Sequence, residues 1–197
     1  MRSRSRRYIE SSRAVEGTKE YEVGEAVSIV KAFKKAKFDE AVDIVMKLGV
    51  DPKHSDQLVR GSFSLPKGIG KEVRVVVFAG SDDKIAVAQE AGAAEAGGDD
   101  LLKKVEGGWL DFDVAISTPD MMGKVGKLGR VLGPQGKMPS PKSGTVTNDI
   151  LNAVKEFREG KIEYRTDAGG NVHAPVGKVS FSSGDLVENI ESFIKHI

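Results

Sequence analysis

EVRVVVFAGSDDKIAVAQEAGA, Glu72–Ala93, carries a run of β-branched residues into a helical repeat across Ala79, Gly80 and a pair of acids. Val75–Phe78 offers no polar position on either side, which predicts a strand buried on both faces, as in parallel sheets. Asp82 and Asp83 suit the first turn of a helix, where the dipole favours negative charge. Downstream, DDLLKKVEGG reads as a second helix and FDVAIST as a second strand. Strand, helix, helix and strand together predict a small α/β unit with parallel pairing.

On either side of this passage the texture changes. Upstream, PKGIGK forms a Gly/Pro/Lys joint. Before it, apolar residues recur at helical spacing over Tyr8 to Val15 and Val23 to Phe33, predicting two helices. KFDEAVDIVMKLGV then alternates as a strand, VRGSFSLP reads as its partner, and DPKHSDQ between them is a turn or short helix. Downstream, NDILNAVKEFREG predicts a helix with Asn148 or Thr147 as N-cap and Gly160 as its stop. KIEYRTDAGGNVHAPVGKVSF alternates around a Gly-Gly turn, predicting a hairpin and another strand, and SSGDLVENIESFIKHI is a capped amphipathic helix.

Alternating, half-exposed strands with covering helices thus flank a central insert. The expected class is α/β and α+β in two domains. Domain I is a discontinuous α+β domain with a mainly antiparallel sheet, residues 1–66 and 160–197. Domain II is an inserted Rossmann-like three-layer α/β domain, residues 67–159. The joints fall at Pro66, Gly68 and Gly70 and at Gly160, where hinge motion is expected.

Bulk properties narrow the function classes. With 39% hydrophobic and 30% charged residues the chain has ordinary globular texture. The lack of cysteine excludes disulfides and thiolate metal sites. His54, His173 and His196 are scattered, so neither a metal site nor a cofactor is expected. No apolar run approaches the roughly 18 residues of a membrane span. A net charge of +1 argues against indiscriminate coating of nucleic acid. The charge is instead segregated: MRSRSRRY carries four arginines and no acid. It reads as a basic arm or helix start more readily than as a transit segment.

The most unusual stretch is TPDMMGKVGKLGRVLGPQGKMPSPKSGTVT, Thr118–Thr147, with Lys124, Lys127, Arg130, Lys137 and Lys142 against the single acid Asp120. If Met121–Leu132 is helical, Lys124, Lys127 and Arg130 share one side, beside a ridge of Gly123, Gly126 and Gly129. Val125, Leu128, Val131 and Leu132 take the remaining face. The ridge reads equally as room for a large anion or as close packing against another backbone. Contact of most of these cations with phosphates would give a log K against log salt slope of order −4. Specificity must then come from elsewhere, and Lys37, Phe38, Arg165, Arg6 and Arg7 are candidates, since an aromatic can stack on a base. On the residues alone, Phe38 reads better as a core aromatic.

The opposing reading is a nucleotide-binding α/β enzyme, with a phosphate resting where VVVFAGSDD turns into its helix. No G-x-G-x-x-G follows that strand, and KGIGKE lacks the spacing and the Ser/Thr of a P-loop. Neither Ser/His/Asp nor paired-carboxylate chemistry can be assembled, so no small-molecule substrate is expected.

Three long irregular stretches carry a resemblance: KFDEAVDIVMKLGVDPKHSDQLVRGSFSLPKGIGK, GGWLDFDVAISTPDMMGKVGKLGRVLGPQGKMPSPKSGTVT and KIEYRTDAGGNVHAPVGKVSF. In order and spacing they resemble the large-subunit ribosomal protein one family, the proteins of the mobile ribosomal stalk, in its bacterial or organellar type. The resemblance runs from Tyr8 onward. It implies a non-enzyme that binds stalk-region large-subunit RNA and assists release of exit-site transfer RNA. In bacteria such proteins repress translation of their own messenger RNA. It implies a monomer within the ribosome, cytoplasmic or organellar, and a ribosome-free RNA-binding regulator is the variant reading. The main RNA surface carries over onto Lys37, Phe38 and Glu40 of domain I, with Arg165, Asp167, Arg6 and Arg7 as neighbours. Lys124, Lys127, Arg130, Lys137 and Lys142 become a secondary surface on domain II. Ala41 stands where many members carry a threonine, and members continue beyond the position of Ile197 through strands with a Thr-Met-Gly motif.

Overall fold

A computed structural model describes residues 4–54 and 56–197. Arg2 of the basic arm and Ser55 of the DPKHSDQ turn lie outside the described residues. Helices α1 (Arg6–Arg13) and α2 (Val23–Ala32) precede strands β1 (Ala41–Lys47) and β2 (Arg60–Ser64). Then come β3 (Val75–Phe78), α3 (Asp82–Glu90), β4 (Glu95–Gly97), α4 (Asp99–Glu106) and β5 (Val114–Ser117). Short helices α5 (Met122–Val125) and α6 (Gly129–Leu132) alternate with 3-10 turns. Helix α7 (Ile150–Glu159), strands β6 (Lys161–Arg165) and β7 (Asn171–Lys178) and helix α8 (Ser183–His196) complete the order.

The chain divides into two compact units. The first holds residues up to Val45, Leu65–Gly70 and Ala174–Ile197; the second holds Met46–Ser64 and Lys71–His173. Their boundaries fall inside β1 and β7, so the β2 and β6 segments belong with the second unit.

Within the second unit, β3 is central to a parallel sheet ordered β4-β3-β5. Its four residues are at most 1% exposed, as the Val-Val-Val-Phe run requires. Val76, Phe78 and Ala115 face one side, packed with Leu101, Val105, Val125 and Leu132 from α4, α5 and α6. Alternation sends Val75, Val77 and Ile116 to the other side, against which α7 packs. The expected order of strand, helix, helix and strand is corrected by β4, which inserts a third strand. EAG contains no β-branched or aromatic residue, and as a three-residue edge strand it needs only backbone partners.

The antiparallel pairings also differ from expectation. β1 pairs with β7 and β2 with β6, in two separate two-stranded sheets, so β1 and β2 are not partners. Leu48 N donates to Gly170 O at 3.2 Å and Val179 N to Glu40 O at 3.0 Å, fixing β1 and β7 antiparallel. β6 and β7 meet only at a Thr166–Val172 bridge before parting, where a full hairpin was expected. Short-range alternation identifies strands but not their partners, and here the partners lie about a hundred residues away.

The helix ends follow local chemistry. Asp149, not Asn148 or Thr147, caps α7 by accepting from Asn152 N at 3.3 Å, while Thr147 Oγ1 accepts from Asp149 N. Gly160 closes α7 at φ 121°, a backbone that favours glycine. In α8, Ser182 accepts from Asp185 N, and Leu186, Asn189 and Phe193 form the buried stripe. Asn189, fully buried, anchors the Leu65–Gly70 segment: it accepts from Lys67 N at 3.0 Å and donates to Gly68 O at 3.0 Å and Val176 O at 2.8 Å. The Gly68–Gly70 joint is thus tied to α8.

Candidate nucleic-acid interface

In the first unit, the segment between α2 and β1 holds Phe38 outward. Phe38 is 72% exposed, whereas Phe78, Phe112, Phe157 and Phe193 are at most 1% exposed. The core reading of Phe38 is thereby corrected. The reason is visible in its neighbours. Glu40 accepts from Ala36 N at 3.0 Å and from Arg7 Nη1 at 2.8 Å. Asp39 accepts from Ser180 N at 3.1 Å and from Ser180 Oγ at 2.6 Å. Two adjacent carboxylates pin the loop and leave Lys37 and Phe38 projecting. Glu40 therefore acts as a clasp for the loop, with Arg7 as its counter-charge. A groove of about 580 Å³, lined by Arg7, Tyr8, Val30, Phe33, Lys34 and Glu40, opens beside this clasp. Arg6 is exposed on α1, and Arg4 lies over the Tyr8 ring at 4.5 Å.

Arg165 and Asp167 fall in the other unit. Asp167 shapes the turn before β7. Its carboxylate accepts from Gly169 N and Asn171 N at 2.8 and 2.9 Å, from the Asn171 amide, and shares a hydrogen bond with His173 Nε2 at 3.2 Å. These contacts, led by the Asn171 backbone N–H, hold the carboxyl far below the usual carboxylate range. Arg165 instead lines a groove of about 1180 Å³ together with Arg60, Lys142, Glu163 and His173. Glu163 lies half-buried there. Burial pushes its carboxyl up, against the hydroxyl of Ser143, the charge of Arg60, the hydroxyl of Thr145 and the charge of Arg165. The structure thus brings Lys142 together with Arg165, which the sequence reading kept apart.

The Met121–Leu132 segment is a series of short helices and 3-10 turns, not one helix, and keeps the expected faces except that Val131 is only half-buried and Met121 joins the buried side. Met121, Val125, Leu128 and Leu132 are buried, and Lys124, Lys127 and Arg130 are exposed. The 3-10 turns suit this, because their three-residue repeat aligns positions i and i+3. A Cβ added to Gly123, Gly126 or Gly129 meets nothing within 4 Å, so close packing within the chain does not explain the ridge. Not every cation is available. Lys124 Nζ is 2.6 Å from Asp99 Oδ1, whose carboxyl that hydrogen bond lowers. Lys137 donates to Leu110 O at 2.9 Å and lies over the Phe112 ring. Lys127, Arg130 and Lys142 have no salt bridge among the described residues.

Sequence reasoning missed Arg60 and His173. His173 showed only as one of three scattered histidines, and Arg60 becomes visible only once β2 is paired with β6. Among the described residues no group of His, Cys, Asp and Glu could hold a metal ion, and no helix is long and apolar enough to cross a membrane. At the end of β3, the first turn of α3 carries Asp82 and Asp83, which oppose an anionic phosphate.

Comparison with known proteins gives the class. Residues 30–197 match the ribosomal protein L1p/L10e family. The large ribosomal subunit protein uL1 of Chlorobaculum tepidum is 53% identical over 190 residues, covering 96% of this chain and 82% of the relative. That of Kosmotoga olearia is 49% identical over 197 residues, covering 100% and 85%. That of Maridesulfovibrio salexigens is 53% identical over 187 residues, covering 94% and 80%. The class is that of structural proteins of the large ribosomal subunit, which are not enzymes. Within it, the chain belongs to the ribosomal protein L1p/L10e family.

Proposed function

We propose that the chain binds the stalk region of large-subunit ribosomal RNA, with Lys37 and Phe38 as the centre of the main contact. The observation that carries this reading is Phe38, a large aromatic held 72% exposed by a loop pinned at both neighbouring carboxylates. A clasped loop loses little entropy on binding, and an outward ring is ready to stack on an unpaired base. Arg6, exposed on α1 of the same unit, adds positive charge, while Arg7 is paired with Glu40 and holds the loop. Lys127, Arg130 and Lys142, unpaired among the described residues, supply secondary phosphate contacts. Asp167 contributes by shaping its turn.

In this reading residues 1–66 and 160–197 form the principal RNA-binding domain and residues 67–159 the inserted one, joined at Pro66–Gly70 and Gly160. The chain assists release of exit-site transfer RNA, represses its own messenger RNA, and works as a monomer in the cytoplasmic ribosome. The test is cosedimentation of the full chain with large ribosomal subunits, paired with titration of a stalk-region transcript. Comigration and salt-sensitive transcript binding are expected. Tight binding of ATP or NAD with no RNA affinity would overturn the reading, and RNA affinity without comigration would assign a ribosome-free regulator instead.

A further inference from the structure

Arg60 and Arg165 stand directly opposite one another in the antiparallel register of β2 and β6. Like charges in that position oppose strand pairing. The chain offsets the repulsion only in part. Arg60 Nη2 is 4.0 Å from Glu163 Oε2, the outer limit of an ion pair, and Arg165 has no salt bridge among the described residues. Among the described residues Glu163 is the one carboxylate that faces both arginines, and the Ser143 and Thr145 hydroxyls also bond to it, so a single shared charge stands against two guanidiniums and Lys142. Asp167 is committed to Gly169, Asn171 and His173. Lys142 adds a third cation from the 3-10 turn Pro141–Ser143, which packs on β2. All three line one open groove of about 1180 Å³, far larger than a single ion needs.

We propose that this groove is a phosphodiester clamp, in which Arg60 and Arg165 grip RNA backbone phosphate from the strand pair and Lys142 from the adjoining turn. Two guanidiniums side by side match a phosphate's several acceptor oxygens, and the bound charge removes the repulsion that the free protein carries. The clamp rests on the RNA reading above. It adds Arg60 to the interface and joins Arg165 and Lys142 in one site.

The phosphodiester can come from ribosomal or transfer RNA, so both are used as probes. Full-length wild type, Arg60→Gln and Lys142→Gln are titrated with a stalk-region transcript and, separately, with deacylated transfer RNA, over a range of salt. For the RNA that occupies the groove, each variant should flatten the log K against log salt slope by about 0.7–0.9 and weaken binding roughly four- to fivefold at 0.15 M salt. The free Arg60→Gln chain should unfold no more readily than wild type. Unchanged slopes and affinities with both RNAs overturn the clamp, as do losses matched in both variants by a lower unfolding midpoint. If wild type binds neither RNA, the RNA reading itself falls.

Discussion

Replacing Phe38 by alanine separates binding from folding. Complete burial of a phenylalanine side chain is worth about 1.5–3 kcal/mol. Phe38 is 72% exposed, so a little over a quarter of that, about 0.5 kcal/mol, is at stake in the fold. The clasp formed by Asp39 and Glu40 does not involve the ring and should survive. Stacking on a base, in contrast, is worth about 1–3 kcal/mol by alanine substitution, roughly fivefold to more than a hundredfold in affinity. The assay is titration of a stalk-region transcript at fixed salt, with urea unfolding of the free protein alongside. The comparison is a double change of Lys124 and Lys127 to alanine. Lys124 is already paired with Asp99, so the double change should weaken binding by no more than about fivefold at 0.15 M salt. A Phe38→Ala chain that binds as wild type, or a lysine pair that proves more damaging, would refute the argument.

Two further predictions concern the scaffold. Asn189→Ala removes three hydrogen bonds and strips partners from the Lys67, Gly68 and Val176 backbone, so urea unfolding should show a loss of about 2–5 kcal/mol; a loss below about 1 kcal/mol would mean water replaces all three. Asp167 has a depressed pKa in the folded chain, so its contribution is present above the unfolded value near 4 and is lost as pH falls through the folded value. Thermal unfolding of wild type should fall as pH drops from about 5 toward 2, and Asp167→Asn should fall less steeply over that window.

Much of the second unit was legible in the sequence because its signals are local. Val75–Phe78 could be only a doubly buried strand, and the spacing of Val125, Leu128 and Leu132 gave the buried face of the segment that follows β5. β4 escaped because Glu95–Gly97 is held by backbone pairing to β3 and has no residue that marks a strand. The partners of β1 and β2 escaped because alternation carries no information on register over long separations. That omission also hid the facing arginines, since Arg60 meets Arg165 only in the β2–β6 pairing. Phe38 was misread from its type alone: aromatic residues are usually inside. Its exposure comes from hydrogen bonds of Asp39 to Ser180 and of Glu40 to Arg7 and Ala36, and no local pattern announces the two distant partners.

The pairing of β1 with β7 has a consequence for synthesis. The first unit draws on Ala174–Ile197, while every residue of the second unit precedes Ala174. At roughly 5–20 residues per second, a ribosome emits β1 some seconds to tens of seconds before β7 follows. The parallel sheet can therefore close first, while the loop bearing Phe38 waits for Ser180 and Val179 to secure it. The order of maturation is thus the reverse of the order of emergence: β1, among the first strands to leave the ribosome, is among the last to find its partner.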